Sequence, residues 1–164
     1  MNGTGPHPGV LVRPIRADDG DRLRRLFDRL SPETVYRRFF TRYPALPPRV
    51  LRYLTAVDHQ DHDGLVALDG DEIVAVARWD RTAPSDPEAE LSIVVEDAWQ
   101  HRGLGRALMG MLTADAAGHH DIRVLRATVL TENGPARRLA TSLRPPSRIE
   151  LDGPVTHFTF RLAS

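Results

Sequence analysis

The stretch Ala89–Leu108, AELSIVVEDAWQHRGLGRAL, limits what this chain can become more than any other. An apolar run over Glu88–Val95 leads into a polar turn carrying Gly103 and Gly105. The pattern then changes to helical spacing at Leu104, Ala107, Leu108, Met111, Leu112 and Ala116, with Gly118 expected to close the helix. The first N–H groups of such a helix have no internal partner and sit at the positive end of its dipole, which suits a phosphate. Gly103 and Gly105 let backbone approach an anion with no Cβ in the way, and Arg102 and Arg106 flank the turn with charge-assisted donors. A tight strand-to-helix turn needing glycine for its own backbone would carry the same pair.

Composition narrows the choice of anion. All 22 basic residues are arginine, which rules out a P-loop lysine, a lysine Schiff base and a lysine general base. A dinucleotide fingerprint would need a third glycine where Leu108 stands, and an early strand near the N-terminus. The chain has no cysteine, so disulfides, thiolate metal sites and cysteine nucleophiles are excluded. A formal net charge of zero argues against a nucleic-acid partner. No apolar run approaches the roughly 20 residues of a membrane helix. Residues 1–9 lack a basic start and an apolar middle and read as a disordered lead, not a signal peptide; a cytoplasmic location is expected.

Residues 10–164 read as one α/β or α+β domain with a mixed sheet. A strand over Val10–Arg16 precedes a helix start at Ala17–Asp19, and Leu23, Leu26, Phe27 and Leu30 then recur at helical spacing. Ser31-Pro32 is an N-cap followed by proline, opening a helix with Val35, Tyr36, Phe39 and Phe40 inward. A short helix through Leu51 and Leu54 follows Pro44–Pro48. Leu65–Leu68 and Ile73–Trp79 form a hairpin at Asp69-Gly70-Asp71. Ile122–Leu130 is a strand, and Asn133-Gly134-Pro135 caps a helix that Pro145-Pro146 stops. Strands around Ile149–Leu151 and Val155–Leu162 meet at Asp152-Gly153.

Gln100-His101-Arg102-Gly103-Leu104-Gly105 resembles the Q/R-x-x-G-x-G/A motif of the GNAT superfamily of acyl-CoA-dependent N-acyltransferases. The element order from Val10 is similar to that family's, which implies a mixed, mostly antiparallel sheet flanked by helices. The resemblance implies that Ile93, Val94 and Val95 hydrogen-bond the pantetheine arm of acetyl-CoA, the co-substrate. It also implies that Gln100, His101, Arg102, Gly103, Leu104, Gly105 and Arg106 hold its pyrophosphate, and that Asn133 belongs to the cofactor side. Three segments, Ser31–Phe40, Leu54–Asp58 and Ala89–Gly105, look like the catalytic domain of bacterial protein-lysine acetyltransferases. In that domain a strand glutamate is the general base, and Glu90 occupies its place. By strand alternation Glu90, Ser92 and Val94 share one face, with Leu91, Ile93 and Val95 on the core side.

The implied chemistry is transfer of an acetyl group to a primary amine. Glu90 takes the amine proton, directly or through water, and N–H groups near Val94 and Val95 stabilise the oxyanion. Relatives carry a tyrosine in a pattern like N-x-x-A-x-x-L-Y to protonate the leaving thiolate. Here Asn133, Ala136 and Leu139 match, but Ala140 stands in the tyrosine's place, and Leu143-Arg144-Pro145-Pro146 replaces the usual Leu-Gly-Phe end. A protein lysine is the expected acceptor. A small-molecule amine, or a non-catalytic acyl-CoA-binding module, are the alternatives, and the chain is expected to be a monomer or homodimer.

Other candidates read as structural. Asp58-His59-Gln60-Asp61-His62-Asp63 has metal-ligand residue types without spacing that brings His59 and His62 to one ion, so a solvated turn is expected and no metal. His119-His120 suits a helix C-terminus. The arginines from Arg22 to Arg29 read as a solvated face. Tyr36, Phe39 and Phe40 read as core, and Trp99 packs beside the glycine loop.

Overall fold

The computed structural model describes residues 7–162. Of the expected lead, residues 1–6 lie outside the described residues. His7 to Gly9 make a turn in which the His7 ring meets the Trp99 ring edge-on, with centroids 5.5 Å apart.

Seven strands form one sheet: β1 (Val10–Pro14), β2 (His62–Asp69), β3 (Glu72–Arg81), β4 (Glu88–Val95), β5 (Val124–Leu130), β6 (Arg148–Asp152) and β7 (Val155–Arg161). Their spatial order is β1-β2-β3-β4-β5-β7-β6, and every neighbouring pair is antiparallel except β4 and β5. Five helices complete the fold: α1 (Gly20–Arg29), α2 (Pro32–Phe39), α3 (Pro48–Thr55), α4 (Leu104–His119) and α5 (Gly134–Leu143). The architecture is the mixed, mostly antiparallel sheet that the sequence implied.

Helices cover both faces of the sheet, giving two apolar clusters. On one side Leu23, Leu26 and Leu54 pack on Ile15, Val66 and Val76. On the other, Leu104, Leu108, Leu112 and Ala116 of α4 pack on Trp79, Leu91 and Phe158. The helical spacing predicted Met111 on that inner face, but it is 47% exposed and Met109 is buried instead. The stripe 104–108–112–116 follows the 3.6-residue period, with residues 109 and 111 on its two opposite edges, and the sheet covers only the edge of Met109. Gly118 does not end α4, which continues to His119.

Local signals hold where they are local. Ser31 Oγ accepts the Thr34 N–H at 3.1 Å, and Asn133 Oδ1 accepts the Ala136 N–H at 3.3 Å. The β2–β3 hairpin turns at Gly70 with φ +60°. The arginines of α1 are not simply solvated. Arg22 reaches Asp71, and Arg25 and Arg29 reach Glu72, so the helix is tied to that turn; Arg29 also meets Glu96 at 3.1 Å.

Candidate active site

β4 and β5 run parallel only over Glu88↔Val124, Ala89↔Leu125 and Glu90↔Arg126, and then part. The gap opens into a groove of about 960 Å³ that runs from Glu90 past Ser92 to Gly103 and Gly105, with α5 along its side. Its size suits an extended ligand.

The backbone along the gap has a definite polarity. Glu96 N–H donates to Val74 O at 2.8 Å, and Thr82 N–H to Glu88 O at 3.2 Å. Antiparallel alternation therefore gives the even-numbered residues of β4 to the β3 ladder, while odd-numbered residues turn their N–H and C=O toward the gap. Ile93 and Val95 face the groove with backbone. Val94, expected to offer a backbone donor there, directs its N–H to β3, opposite Val76. The Val95 carbonyl accepts from Gln100 Nε2 at 3.0 Å. Gln100 thus braces the strand end and also reaches Thr34 Oγ1 at 3.4 Å.

At the far end Gly103 caps α4 in the left-handed region, φ +80° and ψ 2°, with no side chain closing the helix. The first helical bond in this turn is Ala107 N–H to Gly103 O, so the N–H groups of Leu104, Gly105 and Arg106 are left for a ligand. His101 is also left-handed, at φ +60°. A Cβ on Gly105 would lie 3.5 Å from Ile93 Cδ1 and Leu139 Cδ2, an ordinary contact. Packing alone does not demand glycine there. His101, Leu104, Arg106 and Asn133 all line the groove, whereas Arg102 stacks over the Trp99 ring at 5.0 Å.

Asp97 was missed from the sequence. It accepts from Ser31 N–H at 2.9 Å, Ser31 Oγ at 2.8 Å and Thr34 Oγ1 at 2.9 Å, joining the loop to the start of α2. Burial works to raise its pKa, but these bonds outweigh it and hold the carboxyl below its ordinary value. The only local hint was an Asp a few residues before the glycines; its partners lie more than sixty residues away.

At the near end Glu90 is exposed and lines the groove on the face of Ser92 and Val94, as alternation predicted. Asp80 is directly opposite it on β3. Asp80 accepts from Tyr53 at 2.6 Å and Arg78 at 2.9 Å and meets His62 Nδ1 at 2.8 Å. Burial opposes ionisation, and Arg78 leads the contacts that nevertheless hold Asp80 below its ordinary pKa. Burial and the same Asp80 contact push the Tyr53 phenol up to about 12. Arg38 Nη2 donates to Ser92 Oγ at 3.1 Å, and burial draws the Arg38 pKa down. Phe39 and Phe40, read as core, line the groove, and Phe40 is 41% exposed.

The remaining candidates disperse. His59 pairs with Asp63 at 2.8 Å while His62 pairs with Asp80, so the two histidines serve different carboxylates. His120 Nε2 lies 3.5 Å from Asp63 and 3.4 Å from Asp115, joining the end of α4 to β2. Ala140 lines the groove, and the neighbouring hydroxyls of Thr141 and Ser142 bond carbonyls of their own helix. Among the described residues no helix is long and apolar enough to cross a membrane.

Comparison with known proteins points the same way. The model of the Acetyltransferase (GNAT) family matches residues 23–143. Acetyltransferase Pat of Mycolicibacterium smegmatis is 34% identical over 135 residues, 80% of this chain; the chain spans only 40% of that relative's length. Acetyltransferase PA5475 of Pseudomonas aeruginosa is 30% identical over 138 residues, covering 82% of this chain and 73% of its own. Among solved structures, the GNAT domain of S. lividans PAT superposes with a TM-score of 0.84 at 35% identity, covering 92% of this chain and 89% of that one.

Proposed function

The chain belongs to the GNAT family of acetyltransferases, and we propose that it moves the acetyl group of acetyl-CoA to a primary amine, with a protein lysine as the preferred acceptor. The observation that carries this reading is the continuous groove with an uncapped helix N-terminus at one end and Glu90 at the other.

Each part of the groove has a task within that reading. The N–H groups of Leu104, Gly105 and Arg106, with the Arg106 side chain, bind the pyrophosphate. His101 and Asn133 line the same end of the groove. The backbones of Ile93 and Val95 bind the pantetheine amides in the manner of an added strand, and donate toward the thioester carbonyl. Val94 supplies apolar wall, Gln100 holds the strand end, and Arg102 reaches the site only through Trp99. Glu90 accepts the proton of the incoming ammonium, and the neutral amine attacks the thioester carbon. The lysine preference rests on the resemblance of Ser31–Phe40, Leu54–Asp58 and Ala89–Gly105 to protein-lysine acetyltransferases and on the exposure of Glu90, which a residue carried on another protein's surface can reach.

Calorimetry with acetyl-CoA, followed by thiol release in the presence of lysine-containing proteins and of small amines, tests this. Binding without acceptor-dependent thiol release would instead favour an acyl-CoA-binding module, the reading to which Ala140 lends weight. Glu90→Gln is expected to lower turnover roughly a hundredfold or more with acetyl-CoA binding intact. An unchanged rate removes Glu90 from the mechanism.

A further inference from the structure

Acetyl transfer ends with a thiolate that needs a proton at the sulfur, while the adduct nitrogen gives its second proton to water. Cleavage of the C–S bond sends the sulfur away with the electron pair, and Ala140 offers nothing to protonate it. Among hydroxyls lining the groove, Ser142 donates to Leu139 O at 2.9 Å, Thr113 to Gly110 O at 3.1 Å and Thr34 to Asp97 at 2.9 Å. Ser92 is backed by Arg38 at 3.1 Å, a guanidinium that does not release its proton. Thr128 is different. It stands on β5, the strand across the gap from β4, and its Oγ1 lies 3.0 Å from His157 Nδ1. His157 Nε2 in turn lies 3.5 Å from Asp152 Oδ2.

We infer that Thr128 is a catalytic residue that hands a proton to the departing thiolate, with His157 as the residue that positions and recharges it. This inference rests on the acetyl-transfer reading above. The balance is simple. Thr128 gives its hydroxyl proton to sulfur and takes the Nδ1 proton of the His157 imidazolium. The imidazole is left neutral and regains a proton from solvent. Threonine alone is far too weak an acid for this step, and coupling to an imidazolium removes that difficulty.

Register explains why these residues meet. β5 and β7 pair Thr128 with His157 directly, on the face opposite Phe158 and Phe160. The helices α1 and α2 pack on β3 and β4 and leave this half of the sheet to solvent, so the His157 side chain is 39% exposed and can exchange protons. The charged groups around it are Asp152, Glu150 and Arg148 from β6 and Arg126 from β5.

The test compares wild type with Thr128→Val and His157→Gln in acetyl-CoA-dependent thiol release. Each variant is expected to lose about a hundredfold in kcat with little change in KM for acetyl-CoA. In wild type kcat falls as pH rises through the imidazole pKa, and His157→Gln abolishes that limb. Added imidazole restores part of the rate of His157→Ala, which a purely structural role would not allow. A readout without turnover comes from NMR. Coenzyme A shifts the titration of the His157 ring, and desulfo-coenzyme A, lacking the sulfur, does not. Variants with wild-type kcat and pH profile, or identical titrations with both ligands, overturn the proposal. If wild type releases no thiol at all, the acetyl-transfer reading fails first, and the NMR comparison still decides whether Thr128 and His157 face the thiol.

Discussion

Alanine at the two glycines of the loop should move stability in opposite directions, because the two positions are glycine for different reasons. Gly103 sits at φ +80° and a Cβ there would have nothing within 4 Å, so Gly103→Ala meets only the backbone penalty of the left-handed region. That penalty is about 1–2 kcal/mol. For a domain of this size it corresponds to a fall in Tm of roughly 2–8 °C. Gly105 is helical, and its added Cβ would touch Ile93, Leu139 and Val95 at 3.5–3.7 Å, ordinary van der Waals distances. Gly105→Ala should therefore be neutral or stabilising, by up to about 1 kcal/mol. Its methyl group lies against apolar side chains, and the family motif accepts alanine at this place, so acetyl-CoA binding should stay close to that of wild type. Arg106→Ala, by contrast, removes one charge-assisted hydrogen bond to a phosphate, which costs about 1.5–3 kcal/mol, a roughly ten- to hundredfold weaker Kd for acetyl-CoA. Thermal denaturation gives the first pair of numbers and calorimetry the second. An Arg106→Ala protein that binds acetyl-CoA as wild type does refutes the cradle, and a Gly103→Ala protein as stable as wild type refutes the strain argument.

Three further outcomes follow from the charged groups. Asp58 has its pKa lowered to about 2, first by the Gln60 N–H bond and then by His62; its stabilisation is present above the unfolded value of 3.8 and lost as pH falls toward 2. Asp58→Ala should cost about 1 kcal/mol at neutral pH and flatten that acid limb in urea titrations. Asp97→Asn removes the charge that Ser31 and Thr34 bind, and should lower stability by about 1–3 kcal/mol at pH 7 but much less below pH 3.8, as Asp97 is also depressed. Tyr53 is raised to about 12 by burial and its bond to Asp80, so its contribution is full below the ordinary value of 10.0 and fades through 12. Tyr53→Phe should reduce the loss of stability in that alkaline window, measured by fluorescence against pH.

Much of the fold was legible because its signals are carried by adjacent residues. Ser31 before Pro32, Asn133 before Gly134-Pro135 and Asp69-Gly70-Asp71 each dictate a cap or turn within four residues, and each forms as expected. Glu90 could be placed because alternation along a strand needs only β4 itself. What escaped depends on pairing between distant segments. The Val94 N–H is unavailable because of the register of β3, Asp97 matters because α2 returns to the loop, and Arg102 leaves the groove because Trp99 offers its ring. Met109 replaced Met111 in the core because the position of α4 over the sheet, not its period, decides where the stripe ends.

The same distinction bears on where function resides in this domain. Binding, as proposed, rests on features one segment supplies by itself: the backbone of β4, the left-handed cap at Gly103 and the first turn of α4. Proton transfer, as proposed, rests on pairs that only the sheet brings together, Glu90 beside Asp80 and Thr128 beside His157. Both pairs lie on the face away from α4 and α5, so chemistry can vary without disturbing the apolar cluster that α4 holds in place. Alanine at position 140 then alters only one wall of the groove. The strand across the gap, whose side chains alternate between core and polar face, still presents a hydroxyl backed by an imidazole to the same space.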